Sequence, residues 1–343
     1  METAKRKAVQ GLADAAHVLN KAALIASDVG MPYLARQLCW HHIDAYRRLR
    51  RPLTLLEARY MLEPVLNLAR LQIRADQGTA AVRVLEAMHR AVTGRSVMTI
   101  EGKALPTADL VGEQHERRQL REWVWLQLVG EGVRAYAFAG RWADAAEHAR
   151  IYNGIGVHLM EGRQAAIISH CVRGDLLRGR ALLARSTSTE PWEQDVAACL
   201  RMIATEAGDA LLQNHLATAI ARFTGRPPIA GYASYRARLG LTIATLAGPL
   251  RPEQASEFLR RIAEEAGNAA DGYAARDVLG FREPIDGITE QQRRRLSQLK
   301  AASGLGIGTL PESTLSRLNS ATNDAVAVLD LALQSPAGGR RGE

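Results

Sequence analysis

The segment 124–152 restricts the fold most, because two helical patterns in it flank a single turn glycine. Tyr136 precedes Gly140, and Trp142 follows it. A glycine at this point lets the chain leave the first helix in a left-handed conformation. The small side chain of Ala145 lets the second helix cross the first closely. The segment therefore predicts two antiparallel helices joined by a tight turn.

The spacing of Tyr136, Gly140, Trp142 and Ala145 resembles that of a tetratricopeptide hairpin, which has a large residue, a turn glycine, an aromatic and a small residue there. The likeness extends loosely over about residues 10–225. Other candidate turn glycines are Gly30, Gly78, Gly174 and Gly208. The resemblance implies an all-α fold, namely a right-handed solenoid of antiparallel helix pairs.

Helical periodicity broken at glycine and proline predicts helices along most of the chain. We expect a helical repeat domain over 1–280, a C-terminal helical segment over 281–335 and a disordered tail over 336–343, which has no apolar side chain to bury except alanine. The predicted helices span about 4–28, 33–50, 53–77, 79–92, 113–139, 141–153, 162–173, 175–186, 191–207, 209–223, 231–247, 252–266, 288–302 and 311–334.

One segment departs from helical periodicity. Residues 96–100 and 104–106 form two short strand-like patterns around Glu101 and Gly102. They predict a small β-hairpin inserted between helices, with an irregular loop as the alternative.

Motifs for catalysis are missing from the sequence. It contains no phosphate-binding G-x-x-x-x-G-K-[ST], no H-E-x-x-H, no G-x-S-x-G and no C-x-x-C. His41 and His42 are adjacent, so a helix would direct them about 100° apart, which does not suit a shared metal. We therefore expect no enzyme, no cofactor and no metal, although catalytic groups converging from distant helices stay open as a third class.

The location of the protein is predicted from equally general features. The three cysteines, Cys39, Cys171 and Cys199, are widely spaced and predict buried thiols in a reducing compartment. The first residues lack the apolar segment of a secretory signal, and no apolar run approaches the ~18 residues of a membrane span. These features predict a cytoplasmic protein without a membrane segment.

The family resemblance also implies where a partner would bind. In tetratricopeptide proteins, polar residues on the first helix of each pair line a groove that holds a peptide. Counting back from the turn glycines places Arg134 and Gln72 at one such position, and Asn20 and Gln164 at another. We expect these residues to contact a peptide or protein partner, with Arg134 in the most secure register.

Positive charge is concentrated in the first 100 residues, which hold 15 Lys and Arg against 8 Asp and Glu, whereas the remaining 243 hold 29 against 28. The excess is sharpest at 46–51, and Trp40 stands near Arg36 and Arg47 on one helix face. An exposed aromatic among arginines favours binding to an acidic partner. The alternatives are burial of Trp40 against the third helix and an arginine cap of the helix C-terminus.

A second resemblance lies near the C-terminus. Two short patterns there resemble the flanks of a repressor-type helix-turn-helix. The first is Ser303-Gly304-Leu305, and the second consists of Ser313, Thr314 and Arg317. Only residues 306–309 separate the two halves, and residues 282–343 carry 8 basic against 7 acidic side chains, which disfavours nucleic-acid binding.

These observations favour a non-catalytic binding scaffold that holds a peptide or partner protein in a groove between helices. The alternative is a transcriptional regulator with a helical sensor domain and a degenerate C-terminal DNA-binding motif.

Overall fold

The structure, a computed structural model, describes residues 2–282 and 286–334, with side chains from residue 10 onward. This part of the chain is mainly helical and contains one two-stranded sheet, which confirms the all-α class. The helices are α1 (Glu2–Val29), α2 (Pro32–Arg47), α3 (Leu55–Arg74), α4 (Gly78–Gly94), α5 (Gln114–Phe138), α6 (Trp142–Ile151), α7 (Glu161–Val172), α8 (Leu176–Ala184), α9 (Pro191–Ile203), α10 (Leu211–Thr224), α11 (Ala233–Ala247), α12 (Pro252–Asn268), α13 (Gly272–Leu279), α14 (Glu290–Ala302) and α15 (Glu312–Gln334).

Gly140 and Gly174 are confirmed as the residues at which helices end. Gly140 has a φ of 69° and Gly174 a φ of 81°, the left-handed region that glycine adopts without strain. After α5, Arg141 N–H donates to Tyr136 O, and after α7, Asp175 N–H donates to His170 O. Both helices therefore end in the Schellman arrangement, which satisfies carbonyl groups of the last turn.

Helix α7 packs on α8 after the second of these turns, as the hairpin pattern predicts. Helices α5 and α6 belong to different compact units, so their expected close crossing at Ala145 stays a prediction.

Gly78 has a different role from the predicted turn marker. The left-handed residue of that turn is Asp76, with a φ of 58°. Gly78 is instead the first residue of α4, where an added Cβ would lie 2.7 Å from the backbone oxygen of Ala135. Its lack of a side chain permits close packing of α4 on α5.

The predicted β-hairpin is confirmed. Strand β1 (Met98–Ile100) pairs antiparallel with β2 (Lys103–Leu105), and the turn is Glu101-Gly102. Met98 and Leu105 are buried, and the hydroxyl of Thr107 joins the ends of the hairpin by accepting from Met98 N–H and donating to Ser96 O.

The described chain divides into two compact units. The first unit contains α1 to α5, the hairpin and α15, and the second contains α6 to α14. This division does not coincide with the domain boundary expected near residue 280. The second unit begins at Trp142, directly after the turn that ends α5. The first unit includes α15 because this helix packs along α1, far from its neighbours in sequence. The expected disordered tail, 336–343, lies outside the described residues.

In the first unit, α2 packs between α1 and α3, and α4 packs between α3 and α5. The helices α1, α3 and α5 also contact one another in this order. On the other side of α1, α15 approaches closely: Val328 Cγ1 lies within van der Waals distance of a Cβ built on Gly11, and Gly308 N–H donates to Val29 O at 2.8 Å.

The second unit has two apolar clusters. A small one joins α7, α8 and α9 around Leu159, Ile167 and Leu200, and a larger one joins α9 to α14 around Phe223 and Phe258. Helix α13, begun by the Asp271 side chain accepting from Ala274 N–H, was not predicted from the sequence.

Candidate functional site

A row of polar side chains crosses the first unit from α1 through α3 to α5. We call Asn20, Asn67, Arg70, Glu131 and Arg134 the polar row. Asn20 belongs to α1, Asn67 and Arg70 to α3, and the other two to α5. Asn67 and Arg70 share a helix face because they are three residues apart, and so do Glu131 and Arg134. The row therefore depends on three helices presenting matched faces.

Consecutive members of the row are hydrogen-bonded. Asn67 Nδ2 donates to Asn20 Oδ1 at 2.5 Å, which links α3 to α1. Arg70 Nη1 donates to Asn67 Oδ1 at 3.3 Å, and Arg70 Nε donates to Glu131 Oε1 at 2.8 Å. Arg134 Nη1 donates to Glu131 Oε2 at 3.2 Å. The contacts form a continuous path between the predicted groove residues Asn20 and Arg134.

Burial differs along the row. Asn67 and Glu131 are buried, whereas the side chains of Arg70 and Arg134 are 38% and 57% exposed. One buried carboxylate thus lies between two guanidinium groups that reach solvent. The row carries one net positive charge and presents N–H donors outward.

Aromatic and charged pairs continue the same face on both sides of the row. Towards the start of the helices, the rings of His17 and Tyr60 meet edge to face at 6.1 Å, and Arg59 lies 4.2 Å from the ring centre of Trp123. Further along, Arg74 contacts Asp28 at 2.9 Å. Residue numbers rise together along α1 and α3 through these pairs, so the two helices run parallel.

The carboxyl of Glu63 lies on this face and has a raised pKa. Burial is the main cause, and the nearby Arg59 and His17 oppose it. Arg59 Nε is 3.5 Å from Glu63 Oε1, so Arg59 contacts both this carboxyl and the ring of Trp123.

The other two predicted groove residues lie outside the row. Gln72 is half-buried on α3, and its Oε1 is buried without a hydrogen bond to any described residue. Gln164 belongs to α7 in the second unit and donates to Leu159 O at 2.6 Å. The sequence did not indicate Asn67, Arg70 or Glu131. The available signal was the spacing of Asn67, Arg70 and Arg74, which places three polar side chains on one face of α3.

Trp40 is buried, which corrects the expectation of an exposed aromatic. Only 7% of the residue is exposed, because the β-hairpin covers it. Its Nε1 donates to Glu101 Oε2 at 2.8 Å, and Lys103 Nζ lies 4.3 Å from its ring centre. The alternative of burial was therefore right, and residues of the hairpin supply contacts to the buried ring.

The neighbouring arginines of Trp40 also contact the hairpin. Arg36 pairs with the Glu101 carboxylate, with Nε donating to Oε1 at 3.2 Å. Arg47 donates to Ala104 O at 2.8 Å and pairs with Asp44 on its own helix. The hairpin is the intramolecular partner of the group that was predicted to bind a separate protein.

The basic run at 46–51 is likewise used within the first unit. Arg48 Nη2 lies 3.0 Å from Asp330 of α15. Arg51 pairs with the buried Glu57 at 2.7 Å and donates to Leu333 O at 2.8 Å. Hydrogen bonds from Arg51 lower the pKa of Glu57 against the opposing effect of burial. Part of the charge asymmetry of the sequence therefore serves the attachment of α15 within the first unit.

The two flanks of the helix-turn-helix resemblance belong to different compact units. Helix α14 packs on α12 and α13 in the second unit, whereas α15 packs on α1 in the first. Ser313, Thr314 and Arg317 lie in the first turns of α15 and are exposed. Gly304, at a φ of 68°, occupies the turn after α14.

His42 is a core residue. It is fully buried, and neither ring nitrogen has a hydrogen-bond partner in the described structure. Burial, assisted by His41, lowers the pKa of His42 to about 3. Within residues 2–282 and 286–334, no group of three or more His, Cys, Asp or Glu side chains could hold a metal ion.

Comparison with family models, with curated proteins and with solved structures gives no match to this chain. None of the helices in the described ranges is both long enough and apolar enough to cross a lipid bilayer.

Proposed function

We propose that the chain is a non-catalytic binding scaffold of tetratricopeptide-like helix pairs, and that the face of α1, α3 and α5 holds an extended peptide of a partner protein. The single observation that supports this most is the polar row, since it joins one face of three successive first helices. The composition of the chain by itself identifies neither the tetratricopeptide-like helix pairs nor the partner protein.

The chemistry of the row suits an extended peptide. Asparagine amides carry a donor and an acceptor like those of a peptide bond, and guanidinium groups offer several donors in a fixed plane. Arg70 and Arg134 already share Glu131, which fixes their side chains and reduces the entropy lost on binding. Arg59 beside Trp123 provides an aromatic contact on the same face.

The test is selection of displayed random peptides on the immobilised full chain. Selected peptides are titrated against wild type and against Arg134→Ala, with Arg118→Ala as the matched control. Arg118 is also on α5, where it pairs only with Glu122 at an exposed position. We expect Arg134→Ala to weaken binding at least about tenfold, because loss of an interface arginine commonly costs 2 kcal/mol or more.

Two outcomes would contradict the proposal. One is failure to select any peptide that binds saturably. The other is binding that Arg134→Ala and Arg118→Ala weaken equally, because this would place the peptide away from the row or indicate only general attraction between charges.

A further inference from the structure

The second unit contains a cavity that we call the basic pocket, lined by Arg180, Ser186, Ser188, Arg201 and His215 among others. Its volume is about 280 Å³, near the lower end of the ~300–1,000 Å³ that is typical of small-molecule sites. The pocket lies between α8, α9 and α10, so all of its walls belong to one compact unit.

The charge of the pocket is one-sided. Two arginines and one histidine line it, and none of the described residues that line it is acidic. Arg201 forms no ion pair with any described residue. Thr205 and apolar side chains, including Leu183, Ala197 and Leu211, make up the rest of the wall. The pocket therefore combines cationic donors with an apolar surface.

Arg180 has an unused donor. Its Nε donates to Ala204 O at 2.6 Å. Its Nη2 is buried and has no hydrogen-bond partner in the described chain, since the nearest carboxylate oxygen, on Asp209, is 4.0 Å away. A buried N–H without an acceptor is unfavourable, and more so when it carries charge. An anion in the pocket would supply the acceptor.

A second cation lies directly behind the pocket. Arg163 is only 8% exposed, and its recorded hydrogen bonds go to neutral oxygens: Ser186 Oγ at 3.0 Å and Leu182 O at 2.8 Å. Burial and the charge of Arg185 both lower the pKa of Arg163. A buried cation without a carboxylate partner is unfavourable. Ser186 connects this cation to the wall of the pocket.

We propose that the basic pocket binds a small phosphorylated molecule, with its phosphate at Arg180, Arg201 and His215 and its uncharged part against Leu183 and Leu211. A phosphate dianion matches the several positive charges better than a single carboxylate does. The site is independent of the peptide-binding face, so either proposal can fail without the other.

Another cavity of the second unit also contains an arginine, but there the arginine is paired with a carboxylate. That cavity also measures about 280 Å³ and contains Arg236. Arg236 pairs with Glu265 at 2.6 Å, donates to Phe223 O and lies 4.0 Å from the Phe223 ring centre. Its charge is already neutralised, so it offers little to an anion.

The proposal is tested by calorimetric titration of the full chain with phenyl phosphate, benzoate and inorganic phosphate at constant ionic strength. Phenyl phosphate should bind saturably at one site. Benzoate should bind more weakly because it has one charge, and inorganic phosphate more weakly because it lacks the ring. Arg201→Gln and His215→Gln should each weaken binding of phenyl phosphate, with Arg201→Gln having the larger effect of about tenfold or more.

The matched control is Arg178→Gln, an exposed arginine on α8 that does not line the pocket. It should leave the affinity within about twofold, as expected for an exposed charge. Three results would overturn the proposal: no saturable binding of phenyl phosphate, equal losses in Arg178→Gln and Arg201→Gln, or binding of benzoate as tight as that of phenyl phosphate. Thermal melting of each variant establishes that it is folded.

Discussion

The polar row of the first unit and the basic pocket of the second unit use arginine in different ways. In the polar row of the first unit, Arg70 and Arg134 share the buried carboxylate of Glu131. In the second unit, Arg163 and Arg201 have no carboxylate partner among the described residues. A shared carboxylate fixes side-chain positions and leaves outward donors for a neutral peptide. Cations without a carboxylate instead leave a local excess of charge, which suits an anionic ligand.

The contrast also separates structural charge from functional charge. The most basic run in the sequence, 46–51, is attached to the hairpin and to α15 by Arg47, Arg48 and Arg51. The basic pocket draws its charges from positions scattered over 163–215. The densest run of positive charge in the sequence therefore serves contacts within the first unit, and the charges of the proposed anion site come from elsewhere in the chain.

The largest expected effect concerns the hairpin contacts of the first unit. Trp40→Ala should lower the free energy of unfolding by about 3–5 kcal/mol, because it removes a large buried ring. Trp40→Phe should lose mainly the hydrogen bond to Glu101, about 1 kcal/mol. Urea denaturation followed by circular dichroism measures both. A normal stability of Trp40→Ala would mean that the hairpin does not cover the ring.

The next prediction compares the two arrangements of arginine directly. Glu131→Gln should lower the free energy of unfolding by about 2–3 kcal/mol. This loss is smaller than for a fully buried ion pair because water can reach Arg70 and Arg134. Arg163→Met should leave the free energy of unfolding unchanged or raise it by up to about 1 kcal/mol, since a buried cation without a carboxylate partner is unfavourable. Denaturant melts of both variants check this. Equal losses would contradict the distinction between the two arrangements.

Lowering the pH should destabilise the first unit through protonation of His42. Its pKa is about 3 in the folded protein and about 6.5 when unfolded, so the unfolded state binds the proton more tightly. The contribution of neutral His42 to the free energy of unfolding is fully present above pH 6.5. It is lost as the pH falls, by about 1.4 kcal/mol per pH unit between the two pKa values. At pH 5 the loss is about 2 kcal/mol. Melts of wild type and His42→Leu across this range should differ in slope, and parallel slopes would exclude His42.

The last predicted effect should be the same in both units. Gly140→Ala and Gly174→Ala each place a side chain at positive φ, although an added Cβ would meet nothing within 4 Å. The penalty is then backbone strain alone, about 1–2 kcal/mol each. Thermal melts measure it. A large difference between the variants would show that one turn is not the helix end described above.

The sequence predicted local structure well. Periodicity located most of the helices, and the pattern at 96–106 located the hairpin, because each depends on neighbours within a few turns. Helix α13 was missed because its eight residues, Gly272–Leu279, are too few to establish a period. The covering of Trp40 could not be predicted, since Glu101 lies 61 residues away.

The candidate sites show the same limit. Asn20 and Arg134 were indicated by their distance from turn glycines, but their connection through Asn67, Arg70 and Glu131 depends on three helices. The basic pocket gave no signal at all, because Arg180, Arg201 and His215 become neighbours only after α8, α9 and α10 pack. Contacts between helices, not local patterns, create both sites.

The packing of α15 on α1 has a consequence for synthesis. Arg48, at the end of α2, and Asp330 of α15 are hydrogen-bonded in the same unit and are 282 residues apart in the chain. At about 5–20 residues per second, a ribosome needs on the order of tens of seconds to make the intervening segment. During this time the side of α1 that receives α15 stays uncovered, while the second unit emerges complete. The helix α1 is therefore made first, but its packing is completed only after the second unit has been made. Truncation within α15 would leave a newly made chain with an uncovered apolar surface on α1.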